Sequence, residues 1–396
     1  MEKDLQSNNK INWLLFIGIL LIGANLRAPI TSVGVALPSI KDALHLNNIA
    51  VSIITIIPLI AFAIISLFAA KTSNTFGIER TLFGALVIIL LGVIIRSLPN
   101  VSGLYIGTIF IGIGIAFGNV LTPAMIKAKF PLRIGIMTGY YTVVMNIFGS
   151  LSSYSTGPLV KAFNYQIALG IIGIITLIAT LIWVFQLNHK NESTTSNQVA
   201  KVNIWKSSIA WRITLLMGGQ SLIFYSIINW MPAYLADYGV SINEAGLYLS
   251  ILQLAIIPLT FITPIWATKM TSQVPLVLLT GLMFIAGTLA MLFLPQIALI
   301  SILLLGIANG LSFGLVNTFF SLKTEESSTA AKLSGMSQSI GYLFAAIGPF
   351  LFGSLHDATH NWIASIMILV ITSLAILIFS TSVGRNVTIE QHQLNK

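Results

Sequence analysis

The chain contains no cysteine, and only 8% of its 396 residues are charged. Missing thiols exclude disulfides and thiolate-held metal. Soluble domains carry about 25% charged residues, so charge this sparse excludes an ordinary water-soluble globular fold. Acidic residues are the scarcer sign, 11 against 20 Lys and Arg, for a formal charge of +9. An excess of positive charge can serve nucleic acid, but no dense Lys/Arg tract or aromatic-interleaved basic face occurs here. No glycine-rich loop precedes a Lys-Ser or Lys-Thr pair, so the sequence offers no P-loop for ATP. No cofactor and no resident metal are expected.

What is present is apolar surface, 56% hydrophobic residues with a mean hydropathy of +0.92. A helical membrane span needs about 20 mostly apolar residues. Twelve stretches meet that length, roughly 12–37, 50–70, 80–98, 101–125, 134–157, 165–187, 210–235, 245–267, 274–293, 297–321, 333–354 and 362–383. The apolar run after the polar start carries no small-residue cleavage site, and ANLRAP continues into more apolar sequence, so it reads as an uncleaved first span. The one long polar stretch between spans, 188–209, reads as a flexible linker separating six helices from six. The expected fold is therefore an all-α membrane protein of twelve transmembrane helices in two pseudo-symmetric six-helix bundles, 12–187 and 210–383. Tails at 1–11 and 384–396 flank them.

Orientation follows from the Lys/Arg bias of the loops. With the N-terminus cytoplasmic, 16 of the 20 basic residues fall on the cytoplasmic side, and Lys41, Arg96 and Lys161 fall opposite. Both termini and the linker should then be cytoplasmic in a multi-pass protein of a bacterial plasma membrane. The halves also echo each other. Gly139 and Gly157 are spaced as Gly335 and Gly353 are, and GIAFGN from Gly114 has a counterpart in GLSFGLVN from Gly310. Spans one and seven both end on a proline, Pro38 and Pro232. Parallel six-helix repeats with a site between the halves are a transporter architecture, although glycine and proline are common in membrane helices anyway.

The remaining basic residue is Arg27, in the middle of the first span. An arginine at that depth costs at least ~2.5–3.5 kcal/mol on insertion scales and faces a protein interior or a watery cavity. Arg27, Thr31 and Gly34 share one helical face by their spacing, and Asn25 lies beside them. No Asp or Glu falls inside a predicted hydrocarbon core, so an incoming anion would supply the countercharge. The plain alternative is a structural cation satisfied by helix carbonyls. Asn119, Tyr140, Asn146, Gln220, Tyr225, Gln338 and Tyr342 are neutral polar groups inside spans, suited either to a small polar solute or to interhelical hydrogen bonding. Lys127 closes span four, where a helix C-terminus and the charge bias already favour lysine. His356, Asp357 and His360 have helical ligand spacing but lack a third cluster, so a metal site is not expected.

Several stretches carry a family resemblance: NLRAPITSVGVALPSI from Asn25, GNVLTPAMIKAKFP from Gly118, MTGYYTVVM from Met137, FYSIINWMPAYLADYGVS from Phe224 and SQSIGYLFAAIGPFLFGSLHD from Ser337. With them the chain resembles the major facilitator superfamily and, within it, the cyanate and nitroimidazole transporter family. The resemblance implies secondary transport of a small-molecule substrate, either a cyanate-like anion or a nitroimidazole-like heterocycle, by alternating access in a monomer within the lipid bilayer. It also implies that spans seven and eleven line the cavity, which raises Tyr225, Gln338 and Tyr342 as substrate contacts. The superfamily's loop between spans two and three keeps Gly77 and Arg80 but lacks the usual acidic residue ahead of the basic ones. Arg80, Gly77, Lys127 and Arg133 are the gating candidates. An exporter of amphipathic compounds and a polytopic membrane enzyme are the competing readings. The central arginine opposes cationic drugs, and an enzyme would need an acid/base or metal cluster at one membrane face.

Overall fold

Lipid offers no water to peptide groups, so a spanning segment must satisfy its own N–H and C=O groups as a helix or within a closed barrel. The long apolar runs of this chain, which do not alternate, fold as helices. The computed structural model describes residues 12–46, 48–187, 202–240 and 242–394. The N-terminal tail with Lys3 and Lys10, most of the polar linker and Lys396 lie outside the described residues. Among the described residues twelve helices are long and apolar enough to cross a membrane, and no strand occurs.

The spans are α1 (Trp13–Leu44), α2 (Asn48–Phe76), α3 (Ile78–Arg96), α4 (Val101–Lys129), α5 (Ile134–Ala162) and α6 (Tyr165–Val184), the last interrupted by a turn at Ile171. They continue with α7 (Ser208–Asp237), α8 (Ile242–Lys269), α9 (Val274–Phe293), α10 (Ala298–Leu322), α11 (Ser327–Thr359) and α12 (Ile363–Ser380). A short helix, α13 (Ile389–Leu394), follows.

Two boundary expectations change. Pro38 and Pro232 do not end their helices, which run on to Leu44 and Asp237. A proline removes one intrahelical hydrogen bond, and surrounding helices and side chains let membrane helices tolerate that loss. What does stop α1 is His45, in the left-handed region at φ 51°, whose N–H returns to the Lys41 carbonyl. At the other extreme α11 begins at Ser327 rather than 333. In the added stretch Thr329, Ala330 and Ala331 are buried against protein, but the polar Ser327, Ser328 and exposed Lys332 lower what a hydropathy window reads. The end of the polar linker also folds. Ile204–Lys206 form a 3-10 turn with Ile204 buried, and the Ser207 hydroxyl accepts from the Ala210 N–H to cap α7.

The packing divides into two compact units. The first comprises Met1–Pro58, Thr72–Thr122 and Val144–Asn197, and the second Leu59–Lys71, Pro123–Val143 and Gln198–Lys396. In the first, the fully buried Trp183 indole donates to the Glu79 carbonyl at 2.9 Å and packs against Gly18 of α1, where a Cβ would come within 2.8 Å of the ring. Helices α3 and α4 approach to backbone contact at Gly107, where a Cβ would stand 2.3 Å from the Arg96 nitrogen. Only glycine permits that approach, which small residues commonly provide between membrane helices.

In the second unit, α7 and α11 are joined by the Trp230 indole, which donates to the Pro349 carbonyl at 2.8 Å. At one end, Trp362 stacks on His356 at 3.8 Å and donates to Asp237 at 2.7 Å. At the opposite, lysine-rich end, the segment after α12 is laced to the helix bundle. Lys323 Nζ donates to Gln273 Oε1 and to the Arg385 carbonyl, both at 2.7 Å, and the Ile389 N–H donates back to the Lys323 carbonyl at 2.9 Å.

Candidate substrate site

Arg27 lies near the middle of α1, half-buried, in the first unit. Its Nη1 donates to the side-chain oxygen of Asn146 on α5. The aliphatic stem crosses the same helix at Gly149, where a Cβ would come within 3.0 Å of Cγ and 3.1 Å of Cδ. One turn along α1, the Thr31 hydroxyl donates to the Gly149 carbonyl at 2.8 Å. The Ser152 hydroxyl donates to the Ala28 carbonyl at 2.9 Å. Measured interhelical hydrogen bonds in membrane proteins average ~0.6 kcal/mol, so these links together hold the α1–α5 seam by about 2 kcal/mol. The group that Asn146 offers to Nη1 is a neutral amide oxygen.

The other residues expected at a site fall in several places. Asn25 points into the interior of the first unit, accepting from Thr176 Oγ1 at 2.5 Å and donating to the Leu21 carbonyl at 2.8 Å. Asn119 is half-buried on α4. In the second unit Tyr140 is 40% exposed, with its ring against Phe261 at 5.3 Å. Gln220 is buried and donates to Ser221 Oγ at 2.8 Å, and Gln338 is buried and donates to Ser334 Oγ at 2.8 Å. Tyr225 and Tyr342 are half-buried, with Tyr342 tilted against Phe62 at 4.7 Å. Within the first unit the structure thus brings Arg27 and Thr31 together with Asn146 and Gly149.

Among the gating candidates, Gly77 starts α3 at φ 86°, a conformation that favours glycine, and Arg80 is exposed. Arg133 closes the 3-10 turn Pro131–Arg133. Lys127 reaches across to a second helix. Its Nζ donates to the carbonyls of Ser321 at 2.7 Å and Thr324 at 2.5 Å at the end of α10, with the carboxylates of Glu390 and Glu325 close enough to attract it.

Sequence reasoning gave Arg96 no role, placing it at the non-cytoplasmic end of span 80–98. It is 1% exposed and donates from Nη1 to the Pro29 carbonyl at 2.7 Å. A cation at the end of an apolar run carries no mark of which way it folds back. Gly149 was missed as well, because one glycine in MNIFGSLSS gives no sign of the side chain that crosses it.

The family model of the Major Facilitator Superfamily matches residues 15–349. A 2-nitroimidazole transporter of Escherichia coli (strain K12) is 38% identical, covering 97% of this chain and 98% of its own. An uncharacterized transporter, YycB, of Bacillus subtilis (strain 168) is 41% identical over 92% of each chain. The cyanate transport protein CynX of Escherichia coli (strain K12) is more distant, at 23% identity over 88% of this chain and 91% of its own. Among solved structures, the proton:xylose symporter XylE aligns with a TM-score of 0.76 over 97% of this chain and 98% of that one. Its 14% identity speaks for the fold alone. The chain belongs to the Major Facilitator Superfamily and, within it, to the cyanate and nitroimidazole transporter family. It is a multi-pass membrane transporter of a small solute, not an enzyme.

Proposed function

We propose that the chain carries a small anionic or strongly polar solute by alternating access, and that Arg27 is the group that grips it. The observation that carries this reading is a mid-span guanidinium whose identified side-chain partner is the neutral amide of Asn146. By sequence the acidic residues fall near span ends or outside the spans, and this favours an anionic or strongly polar solute. Arginine offers five N–H donors in a planar fork and stays charged at any working pH. Relatives named for 2-nitroimidazole and for cyanate support a solute of that size and polarity. Thr31, Asn119, Tyr140, Gln220, Tyr225, Gln338 and Tyr342 are the further contacts in this reading, and Asn25 supports α1 from behind.

The same reading holds the protein in a bacterial plasma membrane as a monomer, with both termini on the cytoplasmic side and six helices on either side of the linker. The test is uptake into proteoliposomes together with thermal shift of purified protein, since a ligand of the folded state raises apparent stability. Cyanate, nitrite, short carboxylates and nitroimidazoles form the panel. Arg27→Lys retains charge without the fork and should lose most transport while folding normally. Unchanged transport by Arg27→Ala overturns the assignment.

A further inference from the structure

We propose that a cavity at the lysine-rich end of the second unit holds the phosphate of an anionic phospholipid, with Ser66, Asn203, Trp205 and Lys332 as its donors.

The cavity, about 360 Å³, lies where α2 and the first turns of α11 meet the 3-10 turn that precedes α7. All of its lining residues belong to the second unit. With 29 and 33 residues, α2 and α11 exceed the ~20 that cross a hydrocarbon core, so their outer turns reach headgroup depth. Lys332 stands only about 8 Å of helix rise beyond Ser327, the first residue of α11. Trp205, half of it exposed, packs edge to face with Trp211 at the same end. Tryptophan collects at the membrane interface because its ring is apolar and its N–H is polar.

The cavity offers donors and no acid. Lys332 is exposed and makes no ion pair or hydrogen bond among the described residues. Asn203 has committed its acceptors, Oδ1 to the Trp205 backbone N–H at 3.1 Å and its carbonyl to the Gln393 amide at 2.8 Å. Its own side-chain N–H groups are left over, as is the Trp205 indole N–H among the described residues. The fourth donor is the most telling. Thr122 and Thr318, also buried in helices, return their hydroxyls to the carbonyl one turn back, at 2.6 Å and 2.7 Å. Ser66 is 0% exposed, yet its Oγ has no hydrogen-bond partner. An unpaired buried hydroxyl costs free energy, and a ligand oxygen seated in the cavity would give it the partner it lacks.

Three neutral donors around one ammonium, with no carboxylate lining the space, select a phosphate that carries net negative charge. Leu67 and Met336 add apolar wall, which suits the glycerol and first acyl carbons of a lipid. A free phosphate gains nothing from that wall, so the lipid is the favoured source. Basic pockets between membrane helices at this depth take acidic headgroups.

The experiment is native mass spectrometry of the delipidated full-length protein titrated with phosphatidylglycerol or phosphatidylcholine. Thermal shifts are measured in the same lipids and in glycerol phosphate. Wild type should retain one phosphatidylglycerol, with a Kd about fivefold below that for phosphatidylcholine. Lys332→Gln should raise the phosphatidylglycerol Kd about fivefold, the effect of one lysine near a charged surface. Ser66→Ala should raise it several-fold while melting no lower than wild type in lipid-free detergent. Lys269→Gln removes a lysine that closes α8 outside the cavity, and it should leave that Kd unchanged. Equal Kd for the two lipids overturns the site, and so do equal losses in Lys269→Gln and Lys332→Gln. A shift with glycerol phosphate as large as with phosphatidylglycerol overturns the lipid and assigns the cavity to a free phosphate.

Discussion

The Arg96 guanidinium donates from Nη1 to the Pro29 carbonyl at 2.7 Å, two residues along α1 from Arg27. Its Nε and Nη2 are buried with no hydrogen-bond partner among the described residues. One helix therefore meets two arginines in different ways. Arg27 extends from α1 to a side-chain amide, and Arg96 reaches α1 from α3 to hold a backbone carbonyl. Positions 27 and 29 are about 200° apart around the helix, so Arg96 supports the face of α1 turned away from Arg27.

A buried cation with unsatisfied donors costs desolvation that a single carbonyl does not offset. Arg96→Met fills similar volume without that cost and is expected to match or exceed wild-type thermal stability in detergent. Arg96→Ala leaves a void and should lose roughly 2–5 kcal/mol, the range for truncating a large buried side chain. Equal melting temperatures for the Met and Ala variants would rule out packing as the role of this side chain.

Gly149→Ala places a Cβ 3.0 Å from Cγ of Arg27. The arginine stem is flexible and can move by a few tenths of an ångström, so stability should fall by only about 1 kcal/mol, the low end for overpacking. The guanidinium moves with its stem, so the transport KM should rise several-fold. Gly149→Val should exaggerate both effects. A KM unchanged in the Val variant would dissociate the stem from substrate binding.

Lys323 follows α10 directly and is 2% exposed. Burial pushes its pKa from the ordinary 10.5 to about 8. Between these values the unfolded chain holds the proton and the folded protein has released it, so raising pH favours the folded state. Wild-type stability should therefore gain on Lys323→Met as pH climbs from about 8 to 10.5, and the penalty should be fully present below pH 8. Melting curves across that range check the sign. Parallel curves for the two proteins would mean that Lys323 keeps its ordinary pKa.

Lys127 caps the end of α10 through two carbonyls, and hydrogen bonds from a charged donor contribute ~1.5–3 kcal/mol each. Ala124 is fully buried beside Pro123, whose carbonyl accepts from Ser321 Oγ at 3.0 Å. The cysteine-free chain makes Ala124→Cys a clean reporter. Adding Lys127→Met should speed its labelling by a small maleimide several-fold. An unchanged labelling rate would remove Lys127 from any gate.

Much of this protein was legible in the sequence because lipid is an unforgiving solvent. Apolar length alone gave twelve spans, since a backbone inside a bilayer has no alternative to internal hydrogen bonding. Arg27 stood out for the same reason, as a charge where charge is costly. Helix ends were less legible. Pro38 looks like a stop but is not one, and the start of α11 looks like loop but buries Thr329, Ala330 and Ala331 against protein. Hydropathy reports a preference for lipid over water and cannot distinguish water from a polar protein interior. That limit also hid the roles of Arg96, read as a cation at the end of a span, and of Lys323, read as a loop cation, until the fold turns them inward. Only the tertiary structure set Asn146 and Gly149 beside Arg27, because the register of α1 on α5 follows from side-chain shapes more than a hundred residues apart. Sequence thus determined that a cation stands within the membrane; packing decided which helix it crosses and that the Asn146 amide meets it there.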